Sequence, residues 1–397
     1  MTDRSAVRAA RFCELGCWLV LLALFAAFTA HMARMITPYL LDGHFAFNDF
    51  FSQWSAARFL RTHPADQLYD AAALQDYRLT LEPALRRSSP FPYPPLFLLF
   101  IAPMQALSYP VAYALWIGAT LAVYLAVSLA GVTPRSAAGK LAVLLLAPVT
   151  VLTVSYGQNG FLSAALLLGG WRLVPRRPLL AGVAFGLLAF KPSLGVLLPV
   201  ALAASGLWRT IAAAAVTVAL LVLASGLTFG WSLWPDWLGS LPAHAAFIDT
   251  AVSNFRKPSV MAGFELFGLA PAWARAAQYG VGLGVVGVVW SCMARGPIPM
   301  AVAAMLVGTF AGSPYTFVYD MPVVSNAALL LAVMPARGVW RWVDLALVAA
   351  ALSFPAVMIL TTRFTWVAGP VLVLLFARLA WRALRSVSDP ASPAPRL

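Results

Sequence analysis

The run IAAAAVTVALLVLASGL fills Ile211–Leu227 and holds neither a charge nor a proline. A helix needs about 20 apolar residues to cross a bilayer core, with a range of roughly 17–25, so this run and its flanks form a membrane helix. Working outward, similar runs recur at Leu19–Ala30, Pro110–Gly131 and Ala350–Leu360. The whole chain is 61% hydrophobic and only 10% charged, whereas a soluble domain carries roughly 25% charged residues. A soluble fold is excluded. The expected class is an all-α integral membrane protein, with 1–388 forming one polytopic membrane domain and a disordered, Pro/Ala/Ser-rich tail at 389–397.

The net charge of +13 does not indicate nucleic acid. Arginines sit in short clusters between apolar runs, as the positive-inside rule requires, and no basic stripe interleaved with aromatics occurs. Cys13, Cys17 and Cys292 lie in or beside apolar segments without metal-ligand spacing, and read as small packing residues. The first apolar run, roughly Cys13–Met35, is long and lacks a convincing cleavage site. It reads as a first membrane helix whose start Arg4, Arg8 and Arg11 hold in the cytoplasm.

Two polar stretches interrupt the apolar pattern. The first, 36–89, holds six of the fourteen acids: Asp42, Asp49, Asp66, Asp70, Asp76 and Glu82. Loops of this length are usually functional. Within it, Phe50–Leu60 has helical spacing suited to an amphipathic helix at the interface. The second, 231–263, carries Trp231, Trp234, Trp237, His244, Asp249, Asn254, Arg256 and Lys257. Further apolar segments bring the total to about 11–13 transmembrane or re-entrant helices. Arg172/Arg176/Arg177, Arg209, Arg295, Arg337/Arg341 and Arg378/Arg382/Arg385 all fall cytoplasmic in one orientation, which places both polar stretches outside. The parity of crossings then requires that one segment between 91 and 171 does not span. Segment 91–107, broken by Pro92, Pro94, Pro95 and Pro103, is the better candidate, and 160–171 is the alternative.

Five constellations carry candidate chemistry. Asn48–Asp49 puts a carboxylate among aromatics at the interface, where partial desolvation suits a general base; the competing reading is an N-cap for the following helix. Tyr93, in the proline-stiffened Phe91–Phe97, is held rigidly for a substrate, or merely punctuates the chain before a membrane segment. Gln158 and Asn159, flanked by Gly157 and Gly160, offer neutral amides to hydroxyls, although an ordinary turn uses the same residues. Lys191 interrupts an apolar stretch and suits a lipid-linked phosphate, unless it snorkels to the interface. Tyr319–Asp320 opens an apolar helix, where the helix dipole alone would favour an acid. Arg256 and Lys257 form a further candidate anion site. No metal-ligand spacing, catalytic triad or phosphate-binding glycine loop is present, so no metal and no cofactor are implied.

In this order, Asn48–Asp49, Leu68–Tyr69–Asp70, Tyr93–Pro94–Pro95 with Ala102–Pro103, Ala114–Leu115–Trp116, Gly157–Gln158–Asn159, Ala181–Gly182, Lys191–Pro192, Ser313–Pro314–Tyr315 and Tyr319–Asp320 resemble glycosyltransferase family 87, of the polyprenol-phosphate-dependent GT-C class. The resemblance implies a GT-C-like bundle with a large first external loop. It implies transfer of a hexose, often mannose, with inversion, from a polyprenyl-phosphate sugar to a lipid or glycan acceptor on the periplasmic side of the inner membrane. On this resemblance Asp49 is the base, Lys191 the phosphate partner, and Tyr319 and Asp320 line the sugar pocket. Membrane lipids are expected partners and nucleic acid is not. A transporter or flippase of lipid-linked sugars is the rival; it predicts charges near the midplane and an inverted repeat, and no repeat is evident.

Overall fold

The computed structural model describes residues 2–41, 48–83, 85, 89–251, 256–361 and 364–385, with side chains from residue 12 onward except 38–41 and 249–251. Asp42, Arg86, Arg87, Asn254 and the tail 389–397 lie outside the described residues, as do the side chains of Arg4, Arg8, Arg11 and Asp249. Among the described residues every regular element is helical. In chain order these are α1 (Thr2–Leu41), α2 (Phe50–Phe59), α3 (Ala71–Leu81), α4 (Leu98–Ile101), α5 (Tyr109–Leu129), α6 (Pro134–Leu146), α7 (Pro148–Tyr156), α8 (Gly160–Leu173), α9 (Pro178–Leu187) and α10 (Pro192–Gly195). There follow α11 (Leu198–Ala204), α12 (Trp208–Phe229), α13 (Leu233–Ala251), α14 (Val260–Leu266), α15 (Pro271–Arg295), α16 (Ile298–Gly312), α17 (Pro322–Val333), α18 (Val339–Thr361) and α19 (Ala368–Arg385). Six helices are long and apolar enough to cross a membrane, or seven if α6 and α7, bent by 51° at Ala147, count as one span. Shorter apolar stretches at 95–106, 160–173, 178–190, 192–204, 298–312 and 322–333 fill the bundle between them. The chain is an all-α integral membrane protein.

The bundle has two chemically different ends. At one, Arg341 forks onto Glu14 (Nε–Oε1 2.8 Å, Nη2–Oε2 3.0 Å), and Arg378 and Arg382 both grip the buried Asp344. Lys140 donates to Ser128 O and Arg172 to Ala130 O there, each at 2.7 Å. At the other end lie Tyr109, Gly157, Gly160, Lys191 and Asp320. The 14 residues of α8 separate the two, about 20 Å at 1.5 Å per residue.

Segment 91–107 returns to the end it left. Tyr93 donates to Gln158, and Leu107 O accepts from Trp54 Nε1 at 3.1 Å. Between them the prolines break the chain into a 3-10 turn, the four-residue α4 and a second 3-10 turn. That leaves α5, the α6–α7 pair and α8 as the three runs between the two ends of the bundle from the first loop to Arg172.

Two sequence expectations differ in detail. Helix α2 does not lie on an interface. Phe50, Phe51, Gln53, Trp54, Ser55, Ala56, Ala57 and Phe59 are all buried, because α3, the 95–106 segment and α5 cover both of its faces. Arg78, an arginine of the first polar stretch, is the bolt that holds it there. Its guanidinium donates to Ser55 Oγ (2.9 Å), Ser52 Oγ (2.7 Å) and Ser89 O (2.6 Å). The second polar stretch is largely helix α13, and Trp237 donates from it to Pro92 O at 3.2 Å. It therefore packs on the proline segment that carries Tyr93.

Helix α9, which delivers Lys191, is held by close approach to α12. A Cβ at Gly182 would meet Ala213 Cβ and Thr210 O at 2.5 Å, and one at Gly186 would meet Thr217 Cβ at 2.5 Å. Small residues four apart let two backbones touch where no hydrophobic force distinguishes helix from lipid.

Candidate functional site

The sequence GQNG at 157–160 builds the centre of the site. Gly157 ends α7 with φ +65°, and a Cβ there would meet Phe50 Cβ at 2.4 Å. Gly160 begins α8 against the carbonyl of Tyr319, which a Cβ would approach to 2.3 Å. Only glycine allows α2 and the 318–320 turn to close on this turn from both sides. Thr153 Oγ1 donates to Tyr319 O at 2.7 Å and ties the second contact down. Gln158 and Asn159 are thus fixed between Asp49 and Asp320.

From there one line of hydrogen bonds crosses the site. Lys191 Nζ donates to Asp320 Oδ1 and, at 2.7 Å, to Asn159 Oδ1. Asn159 Nδ2 donates to Tyr93 Oη at 2.9 Å, and Tyr93 donates to Gln158 Oε1 at 3.3 Å. Gln158 Nε2 donates to Asp49 Oδ2 at 2.7 Å. Every donor points away from the ammonium and towards the Asp49 carboxylate, so each bond polarises the next in the same sense.

The line is graded in burial. Gln158, Asn159, Lys191 and Asp320 are buried, whereas Asp49, Tyr93, Tyr156 and Arg256 are half-buried. Arg256 lies over the Tyr156 ring at 4.7 Å, and the Tyr156 and Tyr319 rings are 5.6 Å apart. Burial pushes the Tyr319 phenol well above its usual range, with Asp49 and Asp320 adding to the effect and Arg256 opposing it. Burial likewise pushes the Asp320 carboxyl upward, and Lys191 works against that. Asp320 Oδ2 and Asn48 Nδ2 are buried polar atoms without a partner among the described residues. Neither the cavity of about 1030 Å³ at the basic end nor a hollow beside His63 and Asp76 includes a residue of this line.

The structure shows which partners several of these residues take. Asp49 stands at the N-cap position of α2 but its side chain makes no capping bond; the carboxylate turns to Gln158 instead. Lys191 does not snorkel but is buried and paired. Asp320 does not cap α17; it meets Lys191. Lys257 is buried, unlike an ordinary loop lysine, and lies beside Ser259, which caps α14 through Ala262 N at 3.1 Å. Asn48 accepts from Tyr109 Oη at 2.7 Å and from Phe51 N at 3.3 Å, so it fixes the backbone that presents Asp49. Tyr109 and Tyr156 take part without having been singled out, and nothing in their spacing distinguishes them from membrane-interface tyrosines.

The family model for glycosyltransferase family 87 matches residues 91–318, more than half of the chain. The chain belongs to glycosyltransferase family 87. Membership makes it a membrane glycosyltransferase, which takes a sugar donor and an acceptor. Tyr93, Gln158, Asn159, Lys191, Arg256 and Lys257 fall within the matched span; Asn48, Asp49, Tyr319 and Asp320 lie outside it and join through the contacts above. No curated protein and no solved structure matches the chain.

Proposed function

We propose that this family 87 enzyme transfers a hexose, mannose in the first place, from a polyprenyl-phosphate sugar to a lipid or glycan acceptor, with inversion, on the periplasmic face of the inner membrane. The observation that carries the reading is the state of Asp49. Its Oδ2 is fixed by Gln158, Oδ1 takes no hydrogen bond among the described residues, and the carboxylate sits at the half-open edge of the site. An oriented carboxylate with one free oxygen is a general base for an acceptor hydroxyl. The hydroxyl oxygen attacks the anomeric carbon, its proton passes to Asp49, and the bond to the phosphate oxygen breaks on the opposite face. Polyprenyl phosphate departs with the electron pair.

The departing phosphate needs a cation at the same edge. Arg256, half-buried and stacked on Tyr156, supplies a planar fork for it, with Lys257 next to it in sequence. Lys191 also serves the anion, but two of its three N–H groups already hold Asn159 and Asp320. Its main contribution is to set the line that orients Asp49. Asp320 Oδ2, Asn48 Nδ2, Tyr319 and Tyr93 are left to meet sugar hydroxyls. The positive-inside rule supports the orientation, since the basic end is opposite the site.

The test is transfer of radiolabel from polyprenyl-phosphate mannose to mixed membrane lipids by the purified protein, compared with Asp49→Asn. Donor-dependent labelling that vanishes in the variant is expected. Labelling of equal strength in the variant refutes the assignment of the base, and a lipid-linked sugar that crosses the bilayer without transfer refutes the enzyme.

A further inference from the structure

The cavity of about 1030 Å³ lies at the end of the bundle remote from Asp49. Its wall is mainly apolar, formed by Leu15, Trp18, Leu19 and Leu22 of α1, Val143 of α6, and Val302, Leu306, Leu329 and Leu330 of α16 and α17. At its rim stand Lys140, Arg172 and Arg341. No Asp or Glu is among its lining residues. Arg341 is neutralised by Glu14. Lys140 and Arg172 have no carboxylate partner among the described residues. Each donates one bond to a backbone carbonyl at the end of α5, at Ser128 and Ala130. The dipole of α5 accounts for a cation there, but it uses one of the three donors of an ammonium and one of the five of a guanidinium. The two groups therefore stand at the same helix end with most of their donors unspent, and both line an apolar hollow at the upper end of the size range of ligand pockets.

We propose that this cavity holds an anionic membrane phospholipid, with its phosphate between Lys140 and Arg172 and an acyl chain against α1 and α17. The argument is charge complementarity. Two like charges brought together without an acid repel each other, and a phosphate relieves that repulsion. In the orientation proposed above, the arginine-rich end faces the leaflet in which anionic lipids and basic pockets between helices meet. The hollow is a cleft between α1 and the α6–α8–α17 wall, so a lipid there joins the first helix to the rest of the bundle. This site is independent of sugar transfer and shares no residue with it.

The experiment is native mass spectrometry of the full chain released from nanodiscs of phosphatidylcholine with phosphatidylglycerol. The wild type is expected to retain phosphatidylglycerol in preference to phosphatidylcholine. Lys140→Gln and Arg172→Gln are each expected to weaken that preference by roughly fivefold, one charge's worth at a membrane surface. Gly139→Phe offers a second route, because a Cβ at Gly139 has no atom within 4 Å and the ring would enter the hollow. It should displace the lipid while both cations remain. Equal retention of phosphatidylglycerol by wild type, the double Gln variant and Gly139→Phe overturns the proposal. Displacement of the lipid by millimolar inorganic phosphate also overturns it, as does exclusive retention of polyprenyl phosphate. Either would assign the cations to another ligand.

Discussion

Replacing Lys191 by Met tests whether the line of hydrogen bonds depends on a buried ion pair. The side chains of Lys191 and Asp320 are 11% and 1% exposed, so neither charge is compensated by water. Removing one member of such a pair costs about 3–5 kcal/mol, because the other is left charged and dry. Asp320→Leu should fall at the upper end of that range: the ammonium keeps only Asn159 Oδ1, at 2.7 Å. Lys191→Met should fall at the lower end. Burial already pushes the Asp320 carboxyl upward, so with its cation gone it takes up a proton. The folded variant then binds a proton that the unfolded chain releases above its ordinary carboxylate range. Its stability deficit therefore grows as pH rises above that range, by at most about 1.4 kcal/mol per pH unit.

The double variant Lys191→Met/Asp320→Leu separates stability from function. Replacing both charges by apolar groups of similar size is often neutral, so denaturant unfolding in mixed micelles should return close to the wild-type value. Sugar transfer should not return. Asn159 Oδ1 would have lost its donor, and the amide that holds Tyr93, and through it Gln158 and Asp49, would be free to turn. Single variants as stable as the wild type would show that the pair is not dry. A double variant that transfers sugar at the wild-type rate would show that the line does not position the base.

Three further outcomes follow from the same geometry. Asp49→Asn should lower the turnover of the donor by about 10²–10⁴-fold, the usual worth of a positioned general base, with membrane insertion and thermal melting unchanged; a partial loss explained by a lower melting point would argue for a structural role. Arg256→Gln should raise the KM for the polyprenyl-phosphate donor by roughly ten- to a hundredfold, as expected for one lost charge-assisted hydrogen bond, and should affect the acceptor KM little; the reverse pattern would place Arg256 on the acceptor side. Gly157→Ala combines φ +65° with a 2.4 Å approach to Phe50 Cβ, so it should destabilise the fold by about 1–3 kcal/mol; expression and unfolding equal to the wild type would show that α2 shifts without penalty.

The parts of this molecule that sequence made legible are those governed by periodicity and charge. Apolar length identified the membrane helices, and arginines such as Arg172, Arg341 and Arg382 separated the basic end from the site. The prolines of 91–107 announced a broken segment, which turns back to the end of the bundle it left. Lys191 and Asp320 stood out because a charge beside apolar runs needs a reason, and Asp49 because its carboxylate sits among aromatics. What stayed hidden was partnership. An aspartate before a helix is as good a cap as it is a base, and only Gln158, 109 positions away in sequence, shows that this carboxylate is turned away from the cap. Nothing in the sequence set Arg78 apart, because the three serine partners that bury it are scattered over 52–89. The interfacial reading of α2 failed for a related reason: its aromatic spacing suits a membrane surface and a protein groove equally well.

The site also explains why the chain tolerates so many interruptions. In hydrocarbon an irregular backbone leaves polar groups unsatisfied, so it survives only where protein covers it or water reaches it. Here the breaks at 91–107, 157–160, 188–192 and 313–321 each lie at one end of the bundle, where neighbouring elements cover their carbonyls and their side chains meet: Tyr69 donates to Tyr93 O at 2.8 Å, Thr153 to Tyr319 O, and Gln53 to Gly157 O at 3.5 Å, while Asn159 donates to Tyr93 and Lys191 to Asn159 and Asp320. A continuous helix would present side chains every 100° around a rod and could not aim Tyr93, Gln158, Lys191 and Asp320 at a common line. Breaking four segments at the same depth frees their side chains to converge, and packing the breaks together removes the penalty for breaking them. The prolines and glycines that weaken individual helices are therefore the residues that make a shared polar site possible inside a membrane protein.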